Sequence, residues 1–401
     1  MIRSLVSIIA LVLIVVPCYA ATRTATSCSQ SAVQSAISAS SPGDTVNVPA
    51  GSSCSWSGGV SISGISLMGA GKSTSGTVVT AGTITITKHA SQLTRLSGFR
   101  FTGTDVHISV GGSASARAYI IDNSYFYSGG SNFIDIGANG GLLYQNDFYM
   151  DPSQGAGPDV FAIHPGEDWS QPTTFGTADT QGPSGGERNI YFEDNTFSNV
   201  LETAPDGDQG ARIVIRHNQY TDSSIVFHSG KPNDTSDNGT RQFEIYNNTF
   251  SRVTSCDNLN KWIWVRGGSG VTANNAMDSS NTSCFGGKKD IRLGIGCPVA
   301  YPVPHQIGQT SATPQSPPPQ PLLIFGNTGS AIQDASFIAI TGNDTGGGGS
   351  TGCSNPDSYV QQNRDYYLNN HWNWTPLAYP HPLRPGGGGA VPSPPSGLVV
   401  Q

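Results

Sequence analysis

Three stretches of the chain end alike in residues that can do chemistry. Phe161-Ala162-Ile163-His164-Pro165-Gly166, Ile225-Val226-Phe227-His228-Ser229-Gly230 and Ile263-Trp264-Val265-Arg266-Gly267-Gly268 each run apolar, reach a basic residue and pass into small ones. Between the first two, Leu201-Glu202-Thr203 offers a carboxylate. Laid in register as paired strands, His164, Glu202, His228 and Arg266 form one outward column with neighbours about 4.8 Å apart. Such a set suits proton abstraction beside a sugar carboxylate, in which a base takes the proton while a cation neutralises the carboxylate and the enolate-like intermediate. His228 is the expected base and Arg266 the expected neutraliser, with Lys231 and Arg241 in support from the loop that follows His228. Arginine fits the part because its fork grips a carboxylate bidentately and stays charged. The alternative is that these are cross-strand pairs on a polar face.

Further candidates surround that column. Trp264 falls outward, where its ring can stack on a sugar, and Trp262 flanks the same strand; Arg216 is a further candidate for substrate binding. Asp206 and Asp208, in Ala204-Pro205-Asp206-Gly207-Asp208-Gln209-Gly210, are candidate calcium ligands or the carboxylate pair of a hydrolase, although Asp-Gly is also a turn signal. A metal held by His164, Glu202 and His228 has no ligand spacing to support it beyond the inferred register. Glu167-Asp168-Trp169 reads as a groove wall or a solvated loop.

The elements that must position these residues form a repeat. Ile213-Val214-Ile215-Arg216-His217-Asn218-Gln219-Tyr220 can be laid on Phe243-Glu244-Ile245-Tyr246-Asn247-Asn248-Thr249-Phe250, and each is followed by one of the apolar stretches above. An asparagine with an apolar residue three before and an apolar or aromatic residue two after recurs at Asn123, Asn146, Asn195, Asn218, Asn248 and Asn275, with echoes at Asn327 and Asn343. The gaps among the first six are 23, 49, 23, 30 and 27 residues, so one interval holds an extended rung. A repeat of this size with strand-type alternation predicts an all-β, single-stranded, right-handed parallel β-helix, each rung burying its inward residues against its neighbours. The asparagines are expected to stack at one bend, each amide bonding the next.

Around the coil the chain reads in order. Residues 1–20 carry Arg3, an apolar run and a small-residue end, the pattern of a secretory signal. Residues 21–384 are expected to form one β-helix domain. Its parts are an N-terminal cap at about 21–58, an irregular excursion at about 299–321 and a C-terminal cover at about 354–384. Within the cap, 29–40 is the one good helical window, with Val33, Ala36 and Ile37 on one face to close the open apolar end. Residues 385–401 read as a disordered Gly/Pro-rich tail. Without its signal the chain has 19 basic against 27 acidic side chains, net −8, so it has no basic field for a nucleic-acid backbone. No stretch is long enough for a transmembrane helix. Six cysteines then remain, and the expected pairs are Cys28 with Cys54, Cys256 with Cys284, and Cys297 with Cys353.

The cap also carries a resemblance. Cys28, Val33-Gln34, Ala36-Ile37, Gly43-Asp44-Thr45-Val46, Pro49-Ala50-Gly51 and Cys54-Ser55-Trp56 occur in an order similar to exported proteins of the pectate-lyase-like, right-handed β-helix superfamily. The resemblance extends through Leu96-Ser97-Gly98-Phe99-Arg100-Phe101 and the rungs to about Asn343. Around the column, His228, Arg241, Glu244 to Phe250 and Arg266 to Gly268 look like secreted β-helix proteins with a His-Gly, Arg, Glu-Ile-Tyr-Asn-Asn-Thr-Phe, Arg-Gly-Gly pattern, here with Ser229 inserted before Gly230. The superfamily includes lyases, hydrolases, esterases, epimerases and adhesins, so it speaks to fold more than activity. The expected function is an extracellular or periplasmic, monomeric polysaccharide lyase acting on a uronate-containing glycan, with calcium as a candidate cofactor. The alternatives are a glycoside hydrolase of the same fold and a non-catalytic glycan-binding or cell-surface β-helix.

Overall fold

The computed structural model describes residues 20–103, 106–113, 115–128, 133–151, 161–166, 169, 189–200, 204–228, 238–252, 261–278, 291–294, 301–311, 313–329, 338–341, 356–371 and 374–384. Apolar alternation on short strands, with polar residues at each bend, leaves one way to bury the inward side chains: the chain must coil so that each turn covers the last. The strands stack accordingly into a 12-stranded and a 17-stranded parallel sheet. In the first, Gly141–Tyr144, Ile190–Glu193, Arg212–Arg216, Gln242–Tyr246, Ser269–Ala273 and Leu322–Phe325 pair in succession. Ile213 faces Phe243 and Ile225 faces Ile263, so the units laid together in sequence lie on neighbouring rungs. The fold is the expected parallel β-helix.

One bend carries an amide ladder. The Nδ2 of Asn146 donates to Asn195 Oδ1 (3.1 Å), and the pattern repeats from Asn195 to Asn218 (3.0 Å), Asn218 to Asn248 (3.0 Å), Asn248 to Asn275 (2.9 Å) and Asn275 to Asn327 (2.9 Å). The residue before each has positive φ, as at Gln145 (55°), Asp194 (53°) and His217 (59°). Two positions differ from the sequence reading. Asn123 is itself the positive-φ residue, and Ser124 occupies the ladder slot below Asn146. Asn327 is a full member, whereas Asn343 lies outside the described residues. The 49-residue gap holds a single rung, since Gly141–Tyr144 pairs directly with Ile190–Glu193. Because these amides are buried, replacing Asn218 by alanine leaves the Asn195 main-chain N–H without its acceptor and Asn248 Oδ1 with only the main-chain N–H of position 218. That change is expected to cost about 1–3 kcal/mol in chemical denaturation.

Inside, the aromatic residues two after the ladder positions up to Asn248 stack on one another. Ring centroids of Phe101, Phe126, Phe148, Phe197, Tyr220 and Phe250 follow one another at 5.0, 4.9, 4.9, 4.7 and 4.7 Å. At the amino-terminal end, helix α1 (Gln30–Ser38), N-capped by Ser29, buries Val33 against the first rungs. Cys28 and Cys54 form the expected disulfide. A Cβ at Gly51 would come within 2.4 Å of the Cys28 sulfur, which fixes glycine there. Cys256, Cys284, Cys297 and Cys353 lie outside the described residues.

The outward face of the 12-stranded sheet is covered by residues 374–384. Trp374 meets Tyr246 edge-on, Tyr379 stacks on His217 (3.7 Å), and Arg384 lies over Tyr144. Beneath this strap the Glu244 side chain is buried and accepts from Trp374 Nε1 (3.1 Å). Burial raises its carboxyl from the ordinary 4.5 to about 7, against smaller lowering by Trp374 and Arg216. The native state therefore holds a proton on Glu244 that the unfolded chain releases. This contribution to stability is complete below about 4.5 and is lost as pH rises towards 7. Thermal unfolding of Glu244→Gln should accordingly show a variant more stable than the parent at pH 8, with the gap closing towards pH 5.

Candidate functional site

The 17-stranded sheet brings the expected column together, with one substitution. Ile163 pairs with Gly207, Gly207 with Phe227, and Phe227 with Val265. Main-chain bonds carry the register one residue further: Asp208 N donates to Ile163 O (3.0 Å), His228 N to Gly207 O (2.8 Å) and Arg266 N to Phe227 O (3.1 Å). The column is therefore His164, Asp208, His228 and Arg266. The slot assigned to Glu202 belongs to Asp208; Glu202 itself lies outside the described residues, as does Lys231. Glycine is what the rung demands here. A Cβ at Gly207 would stand 2.6 Å from Ile213 Cδ1 and 3.0 Å from Phe227 Cδ1, so neighbouring side chains already fill its inward space. Thr240 Oγ1 donates to Gly207 O (2.5 Å) and ties Thr240 to this strand.

A second column, two residues earlier on each strand, supplies the partners. Asp206 pairs with Val226, Val226 with Trp264, and Trp264 with Arg292. His228 Nε2 approaches Asp206 Oδ1 at 3.2 Å, and Arg266 Nη1 approaches His228 Nδ1 at 3.4 Å. A guanidinium only donates, so Nδ1 is the acceptor, and the neutral imidazole carries its proton on Nε2, the nitrogen that faces the carboxylate. Burial works against the imidazolium, and the Arg266 charge opposes it. The hydrogen bond and charge of Asp206, helped by Asp208, outweigh both and raise the His228 pKa. Asp208, in turn, is raised by burial, against the Gln209 N–H and the two histidines. His164 is exposed on the same column.

Trp264 is 9% exposed, and its ring is a platform for cations: Arg266 (3.7 Å), Arg292 (4.0 Å) and Lys261 (4.5 Å) all lie over it. The indole gathers positive charge, in place of the sugar-stacking surface expected from its outward position. Three other expectations are corrected. Trp262 is fully buried, its ring 5.6 Å from Phe250, because it precedes the strand on the inward side. Arg241 is 2% exposed, bonded to Ser269 Oγ and 5.5 Å from the Trp169 ring, and so belongs to the wall behind the site. Arg216 is fully buried on the other sheet, beneath the strap. Trp169 is buried as well, donating to Gly239 O and edge-on to His305. Asp206 serves His228, and among the described residues no three His, Cys, Asp or Glu side chains converge as metal ligands.

The class defined by fold and site is a parallel β-helix with an Asp–His–Arg cluster on an outward face. No protein-family model and no curated protein matches the chain. Two solved structures are similar. An alginate lyase from Paenibacillus sp. str. FPU-7 aligns at 14% identity and TM-score 0.44, over 80% of this chain and 91% of its own. A DFA-IIIase from Arthrobacter chlorophenolicus A6, without its lid and in complex with GF2, aligns at 12% identity and TM-score 0.36, over 85% and 92%.

Proposed function

We propose that the chain is an exported polysaccharide lyase of the pectate-lyase-like kind, cleaving a uronate-bearing glycan by β-elimination. The observation that carries this reading is His228 held between a carboxylate and a guanidinium, at 3.2 and 3.4 Å, on an outward face with Arg292 also at hand over the Trp264 ring. Asp206 keeps Nε2 protonated and leaves Nδ1 as the base. A substrate carboxylate draws the Arg266 guanidinium to itself and exposes that lone pair. Nδ1 then takes the proton beside the carboxylate, and the C–H electron pair enters an enolate-like intermediate that Arg266 stabilises. As the carbon–carbon double bond forms, the bond to the leaving glycosidic oxygen breaks, and the imidazolium returns the proton to that oxygen, so no net proton is consumed. The Cys28–Cys54 disulfide supports an oxidising, exported setting.

A second reading is favoured by one observation. Asp206 and Asp208 stand side by side and burial raises the second, as a hydrolase's acid requires. Both readings are tested by incubating the purified protein with a panel of uronate polysaccharides while following ultraviolet absorbance of the unsaturated product and the appearance of reducing ends. Absorbance that rises, and is lost in Arg266→Ala, is expected. Reducing ends without absorbance would favour the hydrolase, and neither signal would leave a glycan-binding protein.

A further inference from the structure

Charge on the outward face around His228 is divided along the coil axis. Asp135 pairs with Ala162, which is in register with Asp206 through the Ile163–Gly207 pair. Asp135 points outward between the buried Ile134 and Ile136 and is partly exposed. On the described face, then, the carboxylates Asp135 and Asp208 lie on the rungs before His228, with the exposed His164 on the rung between theirs, whereas the guanidinium groups of Arg266 and Arg292 lie on the rungs after it; Lys261, over the same Trp264 ring, is buried. Neighbouring rungs are about 4.8 Å apart, so a chain of sugars laid along the axis meets the described carboxylates on one side of the base and the guanidinium groups on the other. Discrimination by repulsion is as effective as discrimination by contact.

We propose that this polarity sets the substrate class: the uronate occupies the Arg266–Arg292 side, and a sugar without a carboxylate occupies the Asp208–Asp135 side. The preferred glycan then presents a uronate on one side of the scissile bond and an uncharged or amino sugar on the other, as an alternating heteropolymer does and a homopolymer of uronate does not. A uronate on the acidic side would place its carboxylate against Asp135 and Asp208, in a setting where partial burial weakens solvent screening. The inference rests on the lyase reading for its chemistry, but the polarity can be measured without turnover.

The test compares an alternating uronate oligosaccharide with a homouronate oligosaccharide of equal length. For the parent protein, kcat/KM is expected to favour the alternating oligomer by about tenfold or more. Asp135→Asn and Asp208→Asn are each expected to raise the homouronate-to-alternating ratio several-fold, and Asp135→Asn carries the test if the Asp208 variant fails to fold. Calorimetric binding of both oligomers to His228→Ala should show the same preference without catalysis. A parent preference for the homouronate, or asparagine variants that leave the ratio unchanged, overturns the polarity while unsaturated product still upholds the lyase. Selective binding with no product from either oligomer upholds the polarity and removes the lyase. If neither oligomer binds, both readings fall.

Discussion

Replacing His228 by alanine is expected to remove the unsaturated product from a uronate glycan, with a loss of about 10²–10⁴-fold in kcat, the usual contribution of a positioned base. The fold should survive, because the imidazole is on the outward face and its partners are side chains. Asp206→Asn tests the arrangement more finely. The amide can no longer accept as an anion, so the tautomer with Nδ1 free loses its support, and kcat should fall by about two orders of magnitude with KM little changed. The pH dependence separates the two roles. Burial lowers the His228 pKa, but Asp206 more than restores it, so the acid limb of kcat/KM in the parent lies above the ordinary histidine value of 6.5. Removing the Asp206 charge leaves burial and Arg266, which lower it, against Asp208 alone. The limb should therefore move to lower pH in Asp206→Asn, while the plateau drops. A plateau that drops with the limb unmoved would show that Asp206 does not act through His228.

Much of this arrangement was legible because a coil repeats its own grammar. The strands ending at His164, His228 and Arg266 align in sequence for the reason that they align in space: each has the same inward apolar pair and the same exit. The intervening rung was misread because its inward residue is Gly207. With Ile213 and Phe227 already filling the space, the rung has no apolar alternation to announce it, and Leu201-Glu202-Thr203 looked more like a strand. Arg292 escaped for want of an aligned anchor, although Ile291–Gly294 repeats the apolar-x-apolar pattern and its register to Trp264 is plain in the coil. Side chains also change meaning with what covers them. Trp264 was expected to face a sugar but carries cations, and Trp262, one residue before the paired strand, turns into the core. The covering strap is the least legible part, since nothing local in residues 374–384 says which sheet they lie on.

Arg216 shows how completely that strap reverses a sequence reading, and its replacement is expected to have the largest effect on stability. It has the look of an outward cation on a rung and is fully buried. Its guanidinium donates to Glu193 Oε1 (2.6 Å from Nε), to the Tyr246 hydroxyl (2.8 Å) and to the main-chain oxygens of Leu377 (2.6 Å) and Ala378 (3.0 Å). Rings of Tyr191, Tyr379 and Tyr246 surround it at 5.2, 5.6 and 5.9 Å. Truncation to alanine would leave the buried Glu193 carboxylate with only the His381 N–H and Arg384, and would strand two strap carbonyls. Breaking a buried pair in this way costs about 3–5 kcal/mol. Chemical denaturation should show that loss, and limited proteolysis should find the segment after Trp374 cut faster than in the parent. Because the cost is that of an uncompensated charge, the double variant Arg216→Met with Glu193→Gln should recover part of it. Turnover by the fraction that remains folded should be close to that of the parent, since His228 and its partners are on the other sheet. A raised KM with stability intact would instead restore Arg216 to substrate binding, and would mean that the strap leaves the sheet when glycan binds.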